Sequence, residues 1–167
     1  MNGKVLWITG LSGSGKTTLC RELVQHLREQ GRQIVMLDGD ELREALGAIT
    51  AHSRVERLSL AMRYAHLCKM IAAQGFDVAI ATISMFREVH EWNRINLPGY
   101  VEIFLDVPIK ELERRDPKSI YARSTKNEIK NVTGVDLIVD KPLAPDVHIE
   151  WMPELTIDST LKYLIEK

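Results

Sequence analysis

Two periods of apolar spacing divide this chain. Five short apolar runs occupy residues 5–9, 33–37, 77–81, 100–107 and 147–151. Runs of that length, rich in β-branched residues, predict buried strands. Between them the spacing lengthens to that of helices. TTLCRELVQHLREQG sets Leu19, Leu23 and Leu27 on one helical face and stops at Gly31. Residues 53–74 carry Leu60, Tyr64, Leu67 and Ile71 at helical intervals and stop at Gly75. Shorter helices are predicted over 41–46, over 86–96, from Pro108 onward and over 159–167. The stretch 114–131 is polar, basic and weakly periodic.

Strands alternating with helices imply right-handed crossovers and a parallel sheet covered on both faces. No internal repeat, low-complexity tract or linker breaks the pattern. Residues 1–167 are read as one α/β domain with three layers. Ligands of such sheets collect where the strands end. Three polar segments fall there: GLSGSGKTT, LDGD, and Thr82-Ile83-Ser84.

Charge narrows the partners. The chain has 22 Lys and Arg against 23 Asp and Glu, a net charge of -1. A protein that tracks a nucleic-acid backbone carries a basic surplus, so the local basic clusters are expected to serve something small. No apolar run approaches the ~18 residues of a membrane helix, and the first residues lack the form of a signal peptide. Cys20 and Cys68 sit in apolar helical patterns and are expected as buried free thiols, which suits a reducing cytoplasm. The expectation is a cytoplasmic protein without nucleic-acid or membrane partners. His26, His66, His90 and His148 show no metal-binding spacing. Trp7 is expected in the core, and Trp92 likewise.

The first polar segment fits G-x-x-x-x-G-K-[ST] through Gly10, Gly15, Lys16 and Thr17. Glycines let backbone N–H groups turn inward around phosphate oxygens, and the helix that follows points its positive end at the same anion. Lys16 supplies a point charge for the β- and γ-phosphates, and the Thr17 hydroxyl can ligate Mg²⁺. A nucleoside triphosphate with Mg²⁺ is expected. A switch GTPase would need an N-K-x-D motif, and none occurs. A motor ATPase usually carries an apolar strand ending in Asp beside the first strand, but DVAIAT ends without a carboxylate. The acids stand in LDGD, which suits a kinase with a small acceptor. Asp38 and Asp40 can orient metal-bound water or accept the acceptor's proton; a turn with Asp40 capping the next helix is the other reading. Arg114, Arg115, Lys118, Arg123, Lys126 and Lys130 crowd one segment. They form either a solvated face or a basic lid over about residues 115–131, which excludes water from transferring phosphates. A scaffold with a vestigial nucleotide site is the third class.

GLSGSGKTT, LDGD with Arg43, the Ser53–Arg57 pair, ISMFR, RDPKSIY, EIK and TGVD together resemble the adenylylsulfate kinase family across nearly the whole chain. The resemblance implies a P-loop fold with a five-stranded parallel sheet. It implies transfer of the ATP γ-phosphate to the ribose 3′-hydroxyl of a nucleotide whose 5′-phosphate carries an anhydride. Gly10, Ser12, Gly13, Ser14, Gly15, Lys16, Thr17, Thr18 and Arg115 would serve ATP. Thr17 and Asp38 would serve the metal, and Asp38 and Asp40 the acceptor hydroxyl. Arg43 and Arg57 would hold the acceptor's phosphate and anhydride, and Ile83 and Ser84 would line its pocket. Lys118 and Lys130 would approach phosphates from the lid. His52, Val132, Thr133 and Gly134 would border the acceptor, and Arg87 either reaches its phosphate or lies on the surface. A homodimer is common in the family.

The departures cluster. His52 and Val132 stand where the family carries two phenylalanines that sandwich adenine. Leu60 stands where it carries Asn, Glu41 replaces the Asn of GDN, and Glu56 is the acid before Arg57. Two lost stacking faces remove ~1–3 kcal/mol each, which points to a different base. ATISMFREVHEWNRINLPGYVEIFL and NVTGVD resemble the cytidine diphosphoramidate kinases of polysaccharide modification. Cytidine diphosphoramidate is therefore the lead acceptor, and adenylylsulfate the second.

Overall fold

A computed structural model describes residues 2–48, 53–126, 128–130 and 132–166. Five strands form one sheet: β1 (Val5–Gly10), β2 (Ile34–Asp38), β3 (Asp77–Thr82), β4 (Val101–Asp106) and β5 (Val147–Glu150). They lie in the order β2-β3-β1-β4-β5 and every pairing is parallel. Seven helices are described: α1 (Lys16–Glu29), α2 (Gly39–Ala45), α3 (Arg54–Ala73), α4 (Arg87–Asn96), α5 (Ile109–Arg115), α6 (Ile120–Thr125) and α7 (Ile157–Ile165).

The two-residue period of the strands separates two cores. Val5, Trp7, Val78 and Ile80 face α3 and α4. Ile8, Ala79, Ala81, Ile103 and Leu105 face the side of α1, where Leu19, Cys20, Leu23 and Val24 cover them. Leu161 and Leu164 of α7 pack on that same side. A third, smaller cluster of Val107, Leu112, Tyr121 and Val132 sits under α5 and α6. The expected thiols Cys20 and Cys68 are free and buried, and burial pushes each up to about 12, so neither ionises near neutral pH.

Helix starts follow local chemistry. The Ser53 hydroxyl accepts from the Glu56 amide while the Glu56 carboxylate accepts from the Ser53 amide, so these residues form a capping box on α3. Glu56 thus has a structural duty in this chain. Trp7 lies in the core as expected. Trp92 is only half-buried, against His66 at a ring separation of 4.5 Å. Within the basic stretch, residues 114–125 divide into the end of α5, a turn, and α6. Among the described residues no helix is long and apolar enough to cross a membrane.

Candidate functional site

The ends of β1, β2 and β3 open on one cavity of about 550 Å³. Its base is the loop between β1 and α1. Gly13 and Gly15 hold φ of 81° and 95°, left-handed values that a Cβ would strain. The loop thereby delivers the start of α1 to the cavity, with the helix dipole and unpaired N–H groups toward an anion placed there. Lys16 is 9 % exposed, and its Nζ donates to Leu11 O at 2.7 Å. Burial lowers its pKa to about 8; Asp40 and Asp38 oppose that shift and Lys118 adds to it.

Thr17 Oγ1 donates to Asp38 Oδ2 at 2.7 Å, and Asp38 Oδ1 accepts from the Asp40 amide at 2.8 Å. Asp38 is therefore the cap of α2. The sequence offered Asp40 for that role, but the cap needs extended backbone. Asp38, the last residue of β2, supplies it with φ -120° and ψ 135°. Asp40 is left exposed, and its carboxylate pairs with Lys118 Nζ. Between the two acids, Gly39 has no room for a side chain: a Cβ would stand 2.9 Å from Thr82 Oγ1 and 3.4 Å from Ala81 O. The Tyr64 hydroxyl donates to Gly39 O at 3.0 Å.

Two walls border this centre. On one, Arg57 Nη1 donates to Thr133 Oγ1 at 2.6 Å. Burial, then the neighbouring Arg43, lower the Arg57 pKa against the pull of Asp136. Two partly desolvated cations side by side attract an anion. Ser84 shares this wall, in left-handed backbone at φ 32° with its hydroxyl 2.7 Å from that of Thr82. On the other wall, Arg115 Nη1 donates to Gly13 O at 3.4 Å and the Tyr121 hydroxyl donates to Ser12 O at 2.8 Å. The Arg115 guanidinium lies 5.9 Å over the Trp151 ring. Arg114 and Arg115 both bind Glu111 and hold its carboxyl down at about 2.

The cavity gathers most of the expected residues. Ser12, Gly13, Gly15, Lys16, Thr17 and Thr18 line it, as do Asp38, Asp40, Arg43 and Arg57. Ile83, Ser84, Arg115, Lys118, Lys130, Val132 and Thr133 complete that set. Gly10, Ser14 and Gly134 are not on its wall. Gly10 abuts Leu105 and the Ser14 hydroxyl, and Gly134 packs against Leu11. His52 lies outside the described residues. Arg87 is exposed and away from the wall. Arg54, Tyr64 and Phe86 line the cavity although the sequence reading gave them no role. A signal was present for two of them: Arg54, Arg57, Leu60 and Tyr64 recur at helical spacing. Among the described residues no group of three or more His, Cys, Asp and Glu is placed to hold a metal.

The sequence profile described as Adenylylsulphate kinase matches residues 2–150. The cytidine diphosphoramidate kinase of Campylobacter jejuni is 39% identical over 166 residues, covering 99% of this chain and 96% of that protein. The adenylyl-sulfate kinase of Pseudomonas aeruginosa is 36% identical over 165 residues, covering 96% and 84%. Among solved structures, the Mycobacterium tuberculosis APS kinase in complex with AMPPNP and APS aligns with a TM-score of 0.87 at 34% identity. That alignment covers 99% of this chain and 96% of the other. The chain belongs to the adenylylsulfate kinase family, and is a kinase with the P-loop fold of that family.

Proposed function

We propose that the protein transfers the γ-phosphate of ATP to the ribose 3′-hydroxyl of a nucleoside 5′-anhydride nucleotide, with cytidine diphosphoramidate as the lead acceptor. The observation that carries this reading is one cavity whose wall brings together two pairs of cations, Lys16 with Arg115 and Arg43 with Arg57, and two carboxylates, Asp38 and Asp40. Phosphate loop and helix start take the donor's phosphates; the arginine pair takes the acceptor's.

In this reading Asp40 receives the acceptor's proton. Asp38 is committed to the Thr17 hydroxyl and the Asp40 amide, whereas the Asp40 carboxylate meets only the exposed Lys118 chain among its described hydrogen bonds. The acceptor oxygen bonds to the γ-phosphorus, the bond to the β,γ-bridging oxygen breaks, ADP leaves, and the hydroxyl proton passes to Asp40. Lys16 neutralises charge on the transferring group. Thr17 Oγ1 and Asp38 Oδ2 are hard oxygen donors 2.7 Å apart and suit Mg²⁺, directly or through water. When bound, Mg²⁺ neutralises phosphate charge that the protein's cations do not reach. Residues 115–131 act as the lid, anchored to the loop through Arg115 and Tyr121, and exclude water.

Cytidine diphosphoramidate leads for two reasons. The Campylobacter jejuni relative carries that name, and Leu60 and Val132 supply apolar walls where an adenine sandwich would need aromatic rings. Adenylylsulfate is the second reading, favoured by the Pseudomonas aeruginosa and Mycobacterium tuberculosis relatives. Steady-state turnover with both acceptors decides: the cytidine compound is expected to give the higher kcat/KM. Ordinary turnover of adenylylsulfate with none of the cytidine compound reverses the assignment. ATP binding without turnover of either favours a non-catalytic scaffold.

In this reading the donor base stacks beside Arg115 on Trp151, whose ring lies 5.9 Å from the Arg115 guanidinium. Trp151→Ala is expected to raise KM for ATP about tenfold, the loss of one base stack, while leaving acceptor KM within about twofold. Initial-rate kinetics with each substrate varied checks this, and an unchanged ATP KM removes Trp151 from the site.

A further inference from the structure

Arg54 lines the cavity, yet the proposed transfer gives it no task. It is the first residue of α3, and its guanidinium lies 5.3 Å over the Phe86 ring. Asp140 Oδ2 accepts from its Nη2 at 3.1 Å. Glu88 accepts from Nη1 and Nη2 through longer contacts of 3.4–3.5 Å. Asp140 is itself fixed, since Oδ2 also accepts from the Arg87 amide at 3.2 Å and its own amide donates to Met85 O at 3.0 Å. Three separated parts of the chain thus set one charged layer on an aromatic ring. Leu60, Val132 and Ile138 of the same cavity supply apolar surface. Ion pairs this exposed contribute little to stability, so stability alone is a weak reason for the arrangement.

The layer has a readable edge. A guanidinium offers five N–H donors in a planar fork, and the carboxylates engage only part of it. Asp140, the residue after Val139 of the cavity wall and hydrogen-bonded to Nη2, adds an acceptor beside that fork. Donor, donor, acceptor is the complement of cytosine, whose pairing edge presents O2 and N3 as acceptors and the N4 amino group as donor. Adenine offers N1 and the N6 amino group, two matches of three. Uracil sets N3–H against a donor. A base that meets the fork in its own plane also extends the layer stacked on Phe86, and bidentate contacts of this kind carry base discrimination.

We infer that Arg54, positioned by Asp140 and Glu88 over Phe86, reads the acceptor's base and selects cytosine. This rests on the proposed two-nucleotide reading. The test compares wild type, Arg54→Ala, Arg54→Lys and Asp140→Asn. KM and kcat are measured for cytidine diphosphoramidate and adenylylsulfate, CMP and UMP are used as inhibitors competing with the acceptor, and AMPPNP binding reports on the fold. Arg54→Ala is expected to raise KM for the cytidine compound about tenfold or more, with the effect on KM rather than kcat. The advantage of CMP over UMP disappears, and AMPPNP binds as to wild type. Lysine does not rescue, because it keeps the charge without the fork. Asp140→Asn gives a smaller loss of the same selectivity. Three results overturn the inference: a cytidine preference unchanged in Arg54→Ala, an equal KM rise for both acceptors, or full rescue by Lys. A wild type that prefers the cytidine compound beside a variant that keeps the preference sinks the inference alone. A wild type that turns over only adenylylsulfate sinks the lead acceptor together with it.

Discussion

Lys16→Ala is expected to lower kcat by roughly a thousandfold or more, the scale of removing a preorganised charge from a transition state. Two features make the effect large. Lys16 is almost fully desolvated, so its field on a phosphate is weakly screened. Its position is also fixed by the carbonyl of Leu11 and by the start of α1. Single-turnover phosphoryl transfer, with product separated by chromatography, gives the measurement; a loss under tenfold would remove Lys16 from the proposed role. A pH profile adds an independent check. Burial holds the ammonium at about 8, and a polyphosphate beside it moves the pKa back up. Binding then takes up a proton above that pH. AMPPNP affinity is expected to be level below about pH 8 and to fall as pH rises through it, by up to ~tenfold per unit. In Lys16→Arg the fall disappears, because guanidinium stays charged across this range.

The second large effect belongs to the other end of the cavity. Arg57→Ala is expected to weaken acceptor binding at least ~thirtyfold, the low end for truncating a buried charge that meets an anionic partner. Arg57 is held in place by Thr133 and lies beside Arg43, an arrangement that is electrostatically unfavourable until an anion arrives. AMPPNP affinity should change by less than about threefold, because the proposed reading gives Arg57 to the acceptor and not to the donor. Isothermal titration with each nucleotide separates the two ends. Equal losses for donor and acceptor would count against the assignment.

The strands were legible because most are short, largely apolar runs, and β3 shows it most simply with all six residues buried, whereas β5 alternates buried and exposed positions. Their order in the sheet was not. It depends on which strand each helix returns to, which a single run of residues does not state. The phosphate loop was legible because glycine and lysine at that spacing have few structural uses. Contacts between distant residues were the hidden part. Asp77 looks like a polar start to a strand, but it accepts from the Lys4 amide and pairs with Arg32, a partner 45 residues away. Glu102 sits inside an apolar run, where it binds His90, Tyr100 and Arg94. The reading of Asp40 as a cap failed on a two-residue difference in where extended backbone gives way to helix. Arg54 escaped notice because it stands among other charges at a helix start. Its meaning depends on Phe86 and Asp140, 32 and 86 residues further along.

The fit at Gly39 has a consequence for how this chain can vary. Neither φ nor ψ demands glycine there; the obstacle is the wall made by Thr82 and the carbonyl of Ala81. Even one methyl group would press on Thr82 and strain the approach of β2 to β3 that holds Asp38 at Thr17. Position 39 is therefore not free to drift by itself. The nearest obstacle is the Thr82 hydroxyl oxygen, so an alanine becomes tolerable only alongside a residue at 82 without that hydroxyl, and that change removes the partner of Ser84. Descendants of this sequence should show positions 39, 82 and 84 changing together or not at all, a correlation that the spacing of the sheet imposes without reference to any nucleotide.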